Sequence, residues 1–270
     1  LPILFFSCNS NLETKSPNVI IVITDDQGYG DIGYNGNPHL ITPNLDKFAG
    51  ESMRFNNFNV SPVCAPTRSS LLTGRYSLRT GVTDTYNGGA IMSSNETTLA
   101  EIFNENNYKT GIFGKWHLGD NYPSRPSDQG FQESLIHLSG GIGQVGDFTN
   151  YYKGSTSYYD PILWLNNKQE KYNGYCSDIF TDEAIKFIED NKDNQFFCYL
   201  SFNAPHTPLQ VPEKYYQMYK DIDPTNINGE SLEMTEKDIL DAKKIYGMVT
   251  NIDENFGKLI NKLDELKLKE

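Results

Sequence analysis

The stretch Asn18-Val-Ile-Ile-Val-Ile-Thr24, followed at once by Asp25-Asp26, decides the fold class of this sequence. A continuous β-branched run without polar alternation is typical of a strand buried on both faces of a parallel sheet. Two further apolar runs, Tyr108–Phe113 and Gln195–Phe202, have the same character. Because parallel strands need long crossover connections, helices are expected between them.

Helix signals do alternate with these strands. The segment Thr42–Gly50 begins with a Thr N-cap and a Pro in the first turn. The segment Thr98–Asn107 begins with a capping box. Apolar residues at helical spacing predict two more helices over Ser177–Asn191 and Thr235–Lys267. The sequence therefore predicts an α/β fold with a doubly wound, mostly parallel sheet flanked by helices.

Two segments between these elements are less regular. Met53–Val60 alternates apolar and polar residues and predicts a strand. Asn121–Tyr175 is rich in Gly, Tyr, Ser and Asn, and we expect a long excursion over the sheet edge. Residues 18–270 show no clear domain boundary, and they stop just after a long helix, where an α/β protein should continue with a strand. We therefore expect the N-terminal portion of one larger domain.

Composition excludes two classes of function. The chain has 270 residues with 35 Asp and Glu against 23 Lys and Arg, a net charge of −12. An acidic chain without a basic stripe is a poor nucleic-acid binder, since that affinity rests on neutralising phosphates. No apolar run approaches the length that a membrane span needs. The four Cys residues form neither a disulfide framework nor a CxxC metal motif.

The N-terminus has the features of an export signal. The chain starts at Leu1 rather than Met, and Leu1–Phe6 is apolar before Ser7-Cys8. This pattern predicts residues 1–17 to be a signal-peptide remnant and tether; the alternative is a buried N-terminal strand. The site resembles a bacterial lipoprotein processing site with Cys8 as the lipidated residue. We accordingly expect export to a bacterial periplasm, or an outer-membrane lipoprotein.

Polar residues follow the predicted strands, at the sheet edge where open α/β folds bind ligands. Asp25 and Asp26 would repel each other unless a cation lies between them, and a hard ion such as Ca²⁺ or Mg²⁺ suits carboxylate oxygens. The alternative is a solvated turn. Lys115 and His117 follow another strand with Trp116 turned away between them, and His206 lies in a proline-rich loop after a third.

The segment Cys64–Arg75 places a thiol at or just before a helix N-terminus, where the helix dipole favours an anion. Arg68 lies four residues on and projects from the same helix face. For a single thiol the alternatives are a small buried apolar residue and an activated thiolate.

The pattern C-x-P-x-R-x-x-x-L-T-G-R in this segment resembles the signature of the formylglycine-dependent type I sulfatases of the alkaline-phosphatase-like superfamily. The matched positions are Cys64, Pro66, Arg68, Leu72, Thr73, Gly74 and Arg75. Thr67 stands where Ser is more frequent in that family. Further blocks, all in sulfatase order, are residues 24–31, 42–46, 114–119 and 204–212. The block from His206 is similar to arylsulfatase B-like members, which implies a sulfated sugar or polysaccharide as substrate.

The resemblance implies a role for each matched residue. Cys64 would be oxidised to Cα-formylglycine, whose hydrate attacks sulfur and then expels sulfate. Asp25, Asp26 and residue 64 would hold a divalent metal, Ca²⁺ rather than Mg²⁺. Arg68 and Lys115 would orient and polarise residue 64, His117 would assist elimination, and His206 would donate to the leaving oxygen or bind sulfate.

The implied activity is a sulfuric ester hydrolase. Its partners would be a sulfated carbohydrate or aryl sulfate and a formylglycine-generating or maturase enzyme, with membrane contact only through a lipid anchor at Cys8. The alternatives are a phosphonate or phosphodiester hydrolase of the same superfamily and a non-catalytic glycan-binding lipoprotein. Since the family's Asp-Asn metal pair and a sulfate-binding Lys would come after residue 270, we expect little activity from this chain alone.

Overall fold

A computed structural model describes residues 16–142 and 157–269. Six strands form its main sheet, and they are β1 (Val19–Asp25), β2 (Lys109–Lys115), β3 (Glu133–His137), β4 (Ile162–Leu165), β5 (Lys168–Lys171) and β6 (Phe196–Pro205). Their spatial order is β1-β6-β2-β3-β4-β5. A separate ribbon pairs β7 (Asn226–Ile227) with β8 (Glu230–Ser231).

The central part of the sheet is parallel. Strand β6 pairs in parallel with β1 on one side and with β2 on the other, and β2 pairs in parallel with β3. Strands β4 and β5 extend the sheet in antiparallel fashion. Every residue of β6 is buried, which agrees with its mostly apolar sequence.

Helices cover both faces of this sheet. They are α1 (Pro43–Glu51), α2 (Cys64–Thr73), α3 (Leu99–Glu105), α4 (Cys176–Asp190), α5 (Glu213–Tyr219) and α6 (Glu236–Glu265). One core layer packs α4 and α6 against the sheet and includes Phe180, Phe187, Leu200 and Ile252. The opposite layer packs α2 and α3 and includes Leu72, Trp116 and Tyr199. The predicted doubly wound, mostly parallel α/β fold is confirmed.

Helix α3 begins at the capping box that the sequence predicts, whereas the Thr42 side chain does not cap the N-terminus of α1. The Thr98 hydroxyl accepts from the backbone N–H of Glu101, and the Glu101 carboxylate accepts from that of Thr98, which completes the predicted capping box of α3. At α1 the Thr42 side chain instead bonds Gly33 and Asp46. The exposed N–H groups of α1 are satisfied by Asp253 of α6, whose carboxylate accepts from Leu45 N at 2.7 Å.

The predicted strand over Met53–Val60 is wrong. This segment has no strand pairing in the described chain, and Asn56 and Asn57 form a turn in its middle. Phe55 and Phe58 are 74% and 70% exposed. Alternation describes side-chain polarity only, whereas a strand also needs a neighbour for its backbone hydrogen bonds.

The described parts of Asn121–Tyr175, residues 121–142 and 157–175, contain the strands β3, β4 and β5, which the composition of the segment did not indicate. The β4–β5 hairpin turns at Asn166 and Asn167, both with positive φ (46° and 67°). Two consecutive left-handed residues are the geometry of a type I′ turn, for which Asn is well suited.

Within the described residues, no helix combines the length and the apolar character needed to cross a bilayer. The Cys8 lipid site and all but the last two residues of the predicted signal remnant and tether (residues 1–17) lie outside the described residues. The other cysteines, Cys64, Cys176 and Cys198, are free thiols.

Candidate active site

The carboxyl ends of β1, β2 and β6 and the start of α2 bring the predicted site residues to one edge of the sheet. Asp25 ends β1, Lys115 ends β2, and Cys64 is the first residue of α2. His206 directly follows β6, and His117 lies two residues past β2. This is the edge at which the topology predicted a ligand site.

A buried ionic cluster forms the floor of the site. Lys115 Nζ donates to Asp25 Oδ2, and Arg68 Nη2 lies 3.7 Å from Asp25 Oδ1. The Lys115 and Arg68 side chains are 0% and 2% exposed, so these charges are shielded from water. Burial alone would raise the pKa of the Asp25 carboxyl, but the positive charges of Arg68 and Lys115 hold it below its ordinary value.

Ser201 of β6 joins the cluster without having been predicted from the sequence. Its hydroxyl donates to the Lys115 carbonyl oxygen at 2.8 Å and accepts from Arg68 Nη1, which also donates to that carbonyl at 3.0 Å. One feature of the sequence could have identified Ser201: a hydroxyl group within a buried, mostly apolar strand needs a hydrogen-bond partner. Ser201 thus fixes the guanidinium of Arg68 against the end of β2.

Cys64 faces His117 rather than Arg68. The Cys64 Sγ atom lies 3.3 Å from His117 Nδ1, and His117 Nε2 lies 2.9 Å from the Thr85 carbonyl oxygen. Since a carbonyl can only accept, Nε2 carries the hydrogen, and Nδ1 presents its lone pair to residue 64. No hydrogen bond joins Arg68 to Cys64 in the part of the chain that the structure describes.

The His117 imidazole is held neutral. Burial, reinforced by the charge of Lys115, lowers its pKa from 6.5 to about 3. Gly140 packs on the ring so closely that a Cβ atom there would lie 2.8 Å from His117 Cε1. A glycine at this position therefore allows the ring to stand beside residue 64.

Asp26 and His206 form the outer part of the site. His206 Nε2 lies 3.5 Å from Asp26 Oδ2, and the Asp26 side chain is 61% exposed. Tyr158 donates its hydroxyl to the His206 carbonyl oxygen at 2.5 Å and thereby anchors the histidine loop. Because Tyr158 is completely buried, it is unavailable for stacking on a ligand.

Comparisons with known proteins agree on one family. A protein-family model described as Sulfatase matches residues 17–270. This chain belongs to the sulfatase family.

Its relatives include enzymes from animals and bacteria. Arylsulfatase G of Mus musculus is 42% identical over 236 residues, covering 78% of this sulfatase chain and 45% of the relative. The ulvan-active sulfatase of Formosa agariphila is 30% identical over 271 residues, covering 96% and 49%. A crystal structure of Ps i-CgsB in complex with k-i-k-neocarrahexaose is 31% identical with a TM-score of 0.77, covering 94% of this chain and 56% of that chain. The chain spans about half the length of the curated relatives that it matches.

The chain has the kind of ligand that the metal site implied by the family needs, but the described residues contain too few of them. Asp25 and Asp26 supply the carboxylate oxygens that a hard divalent ion prefers. Asp25 is already paired with Lys115 and Arg68, however, and the described residues contain no group of three or more His, Cys, Asp or Glu side chains that could hold a metal ion. Within the described residues, Asp25 and Asp26 could thus supply only part of a metal shell.

The two remaining histidines, His39 and His137, form no hydrogen bond with Cys64 in the described part of the chain. His39 Nε2 contacts the Asn226 carbonyl oxygen at 2.8 Å. His137 ends β3 and is fully buried, with neither ring nitrogen hydrogen-bonded to any described residue. Ser139, two residues further on, lines a cleft together with His117. No motif in the sequence points to Ser139.

Proposed function

We propose that the whole protein of which this sulfatase chain forms part hydrolyses sulfate esters of sugars, with residue 64 as its nucleophile. The observation that carries this proposal is the thiol of Cys64, 3.3 Å from a neutral imidazole nitrogen. The buried cations of Arg68 and Lys115 lie at the same edge of the sheet. Cations placed around a sulfate ester would offset the negative charge of its oxygens, which otherwise repels a nucleophile.

Conversion of Cys64 to Cα-formylglycine is part of the proposal. The conversion is an oxidation, and a formylglycine-generating or maturase enzyme would couple it to an oxidant. The aldehyde would add water to give two hydroxyl groups on one carbon. A side chain with two hydroxyls can both attack sulfur and release sulfate afterwards, which neither Cys nor Ser can do by the same route.

The two steps divide the proton transfers between two histidines. In the first, one hydroxyl oxygen of residue 64 attacks sulfur and loses its proton to a solvent water molecule, the bond from sulfur to the sugar oxygen breaks, and His206 gives that oxygen a proton. In the second, His117 Nδ1 takes the proton of the other hydroxyl, the bond from carbon to the sulfate oxygen breaks, and the aldehyde forms again. Arg68 and Lys115 would orient and polarise residue 64.

Asp25 and Asp26, with residue 64, are the proposed ligands of a divalent metal, Ca²⁺ rather than Mg²⁺. When bound, such an ion would supply positive charge beside the reacting oxygens. Because the described residues hold only part of a metal shell, we expect the chain of 270 residues to show little turnover by itself.

Sulfated sugars are the proposed substrate class. One relative is an ulvan-active sulfatase and a similar solved structure contains a neocarrahexaose, and both of these ligands are carbohydrates. Measuring turnover of p-nitrophenyl sulfate beside a p-nitrophenyl phosphodiester tests the class of ester. Preference for the phosphodiester would contradict a sulfatase function.

Mass spectrometry of the peptide that contains residue 64 is the decisive test of the nucleophile. Oxidation of the thiol to the aldehyde lowers the mass by about 18 Da. An unmodified thiol in protein co-expressed with a competent maturase would contradict the proposed mechanism.

Export, with a lipid anchor at Cys8, remains our proposal for the location of the protein. Membrane fractionation and detergent partitioning of the wild type and of Cys8→Ser test it. Equal partitioning of the two proteins would argue against the anchor.

A further inference from the structure

The loop that carries His206 is held on its inner side by a buried tyrosine. Tyr158 donates its hydroxyl to the His206 carbonyl oxygen at 2.5 Å, and the same hydroxyl lies 3.3 Å from the carbonyl oxygen of Asn203 in β6. The Tyr158 side chain is completely buried. Burial raises the pKa of Tyr158 well above its ordinary value, so the hydroxyl keeps its proton and remains a donor. Tyr158 thus ties the loop to the end of the sheet.

The far end of the same loop fixes Tyr158 in turn. The backbone N–H of Tyr158 donates to the Gln210 side-chain oxygen at 3.0 Å, and Gln210 Nε2 donates to Ser157 Oγ at 3.3 Å. The Tyr158 ring stacks on the ring of Tyr175, with 6.0 Å between the two centroids. Tyr175 is also buried and donates its hydroxyl to the Gln210 carbonyl oxygen at 2.8 Å. Two buried tyrosines therefore hold the loop, Tyr158 at His206 and Tyr175 at Gln210.

The orientation of the His206 ring depends on the backbone that Tyr158 holds. His206 Nδ1 lies 2.6 Å from the Thr207 carbonyl oxygen, and because a carbonyl can only accept, Nδ1 carries the hydrogen. The peptide group between these two residues contains the oxygen to which Tyr158 donates. Tyr158 therefore restricts the backbone rotation that would carry the ring away. The other ring nitrogen, Nε2, faces the outer part of the site, 3.5 Å from Asp26 Oδ2.

We propose that Tyr158 is a positioning residue for His206: by fixing the His206 carbonyl group, it holds Nε2 where the oxygen that leaves the sulfate ester can take its proton. This inference rests on the proposed function, since it takes His206 as the donor to that oxygen. The proton passes from Nε2 to the leaving oxygen, which keeps the electron pair of its broken bond to sulfur, and solvent water protonates His206 again afterwards. Tyr158 itself is buried and acts only through the histidine.

The first test varies how much the leaving oxygen needs a proton. Whole, modified protein is assayed with p-nitrophenyl sulfate, whose phenolate leaves readily without a proton, and with phenyl sulfate, whose phenolate leaves less readily. Tyr158→Phe should lower kcat/KM for phenyl sulfate by about tenfold, mainly through kcat, and that for p-nitrophenyl sulfate by much less. Tyr175→Phe is the matched control, because it removes a buried hydroxyl from the other end of the same loop. It should not change the ratio of the two rates.

The second test follows the histidine ring without turnover. In whole protein with ¹³C-labelled histidine, the His206→Gln variant identifies the ring signals of His206 in NMR spectra. These signals should shift in Tyr158→Phe and stay at their wild-type positions in Tyr175→Phe. Unchanged signals in Tyr158→Phe, the same shift in both variants, or equal losses of kcat/KM for the two aryl sulfates would each overturn the inference. A wild type that hydrolyses no sulfate ester would contradict the proposed function instead, and the ring signals would still decide whether Tyr158 positions His206.

Discussion

Lys115 carries a buried charge whose partner, Asp25, is buried with it. Replacing Lys115 by Met removes the ammonium and leaves Asp25 with Arg68, 3.7 Å away, as its remaining partner. Because breaking a buried pair leaves a charge with less compensation than before, we expect a loss of about 3 kcal/mol in the free energy of unfolding. Urea denaturation at neutral pH measures it.

Lys237 provides a matched control, since its ammonium pairs with Asp241 on the surface of α6 and its side chain is 80% exposed. Lys237→Met should change stability little, because exposed pairs are screened by solvent. Equal, small losses in both variants would show that the cluster at the site is not shielded from water.

His137 should make stability depend on pH. Burial, together with the charge of Lys115, lowers its pKa well below 6.5 in the folded chain. As pH falls below about 6.5 the unfolded chain therefore takes up a proton that the folded chain does not, and stability decreases. Because neither ring nitrogen has a partner among the described residues, His137→Leu should retain stability at pH 7.5 and lose less of it at pH 5.

Urea midpoints of the wild type and His137→Leu at pH 7.5 and pH 5 provide the measurement. His117, whose pKa is also lowered, is present in both proteins and should leave a residual dependence of the same sign. An identical pH dependence in the two proteins would contradict the expectation.

The reacting residues were readily predicted because they belong to motifs with fixed spacing. Ser201 and Gly140 were not, since a serine inside an apolar strand and a glycine in a Gly-rich loop are common in sites without function. Their importance comes from the tertiary fold, which places Ser201 on Arg68 and Gly140 on His117. No local pattern contains that information.

At the scale of elements, Asp253 links two helices. Its carboxylate accepts from Leu45 N and from Asn44 Nδ2 at the beginning of α1. Asp253→Ala should lower the free energy of unfolding by about 1–2 kcal/mol, since it leaves helix-terminal donors without a partner. Thermal or urea denaturation measures the loss.

Asp264→Ala on the same helix is the control, because Asp264 is half-exposed and pairs only with Lys269 near the end of α6. If both substitutions had the same effect, the contribution of Asp253 would reflect helix α6 itself rather than its bond to α1.

The elements that the sequence predicted correctly are those whose local sequence pattern reflects their buried position or their capped ends. Strands β1, β2 and β6 have mostly apolar sequences, helix α3 carries a capping box and helix α6 has apolar residues at helical spacing, so local patterns were sufficient. In the β4–β5 hairpin β4 is apolar but only four residues long and β5 is polar and exposed, and the Asn166-Asn167 turn was a usable signal that the composition of the surrounding segment obscured. The strand predicted over residues 53–60 was wrong for a different reason. Its alternating pattern is clear, but no neighbouring strand pairs with this segment in the described chain.

At the scale of the whole molecule, we expect copies of the chain to associate through the outer edge of β1. Strand β1 lies at the end of the described sheet, and a groove of about 1000 Å³ beside it is lined by Ile23, Phe58, Val60 and Tyr76, among others. Exposed apolar surface next to an unpaired strand edge promotes association. We expect the purified chain of 270 residues to self-associate at micromolar concentrations and Phe58→Asp to reduce this, as measured by sedimentation velocity.

Met53→Asp is the control, because Met53 is 84% exposed but does not line the groove. If it reduced association as much as Phe58→Asp, net charge rather than the groove would be the cause. A monomeric wild type would contradict the expectation outright.

The position of β6 between β1 and β2 has a consequence for the order of events during synthesis. Asp25, Cys64, Arg68 and Lys115 all precede residue 196, yet the strands that bring them together touch only through β6. While a ribosome is making the first 195 residues, these side chains have no sheet to bring them together. We expect the site to form only after β6 has been made, because β1 and β2 are joined through this strand. Until then, residue 64 belongs to a nascent chain and is open to any modifying enzyme that reaches it.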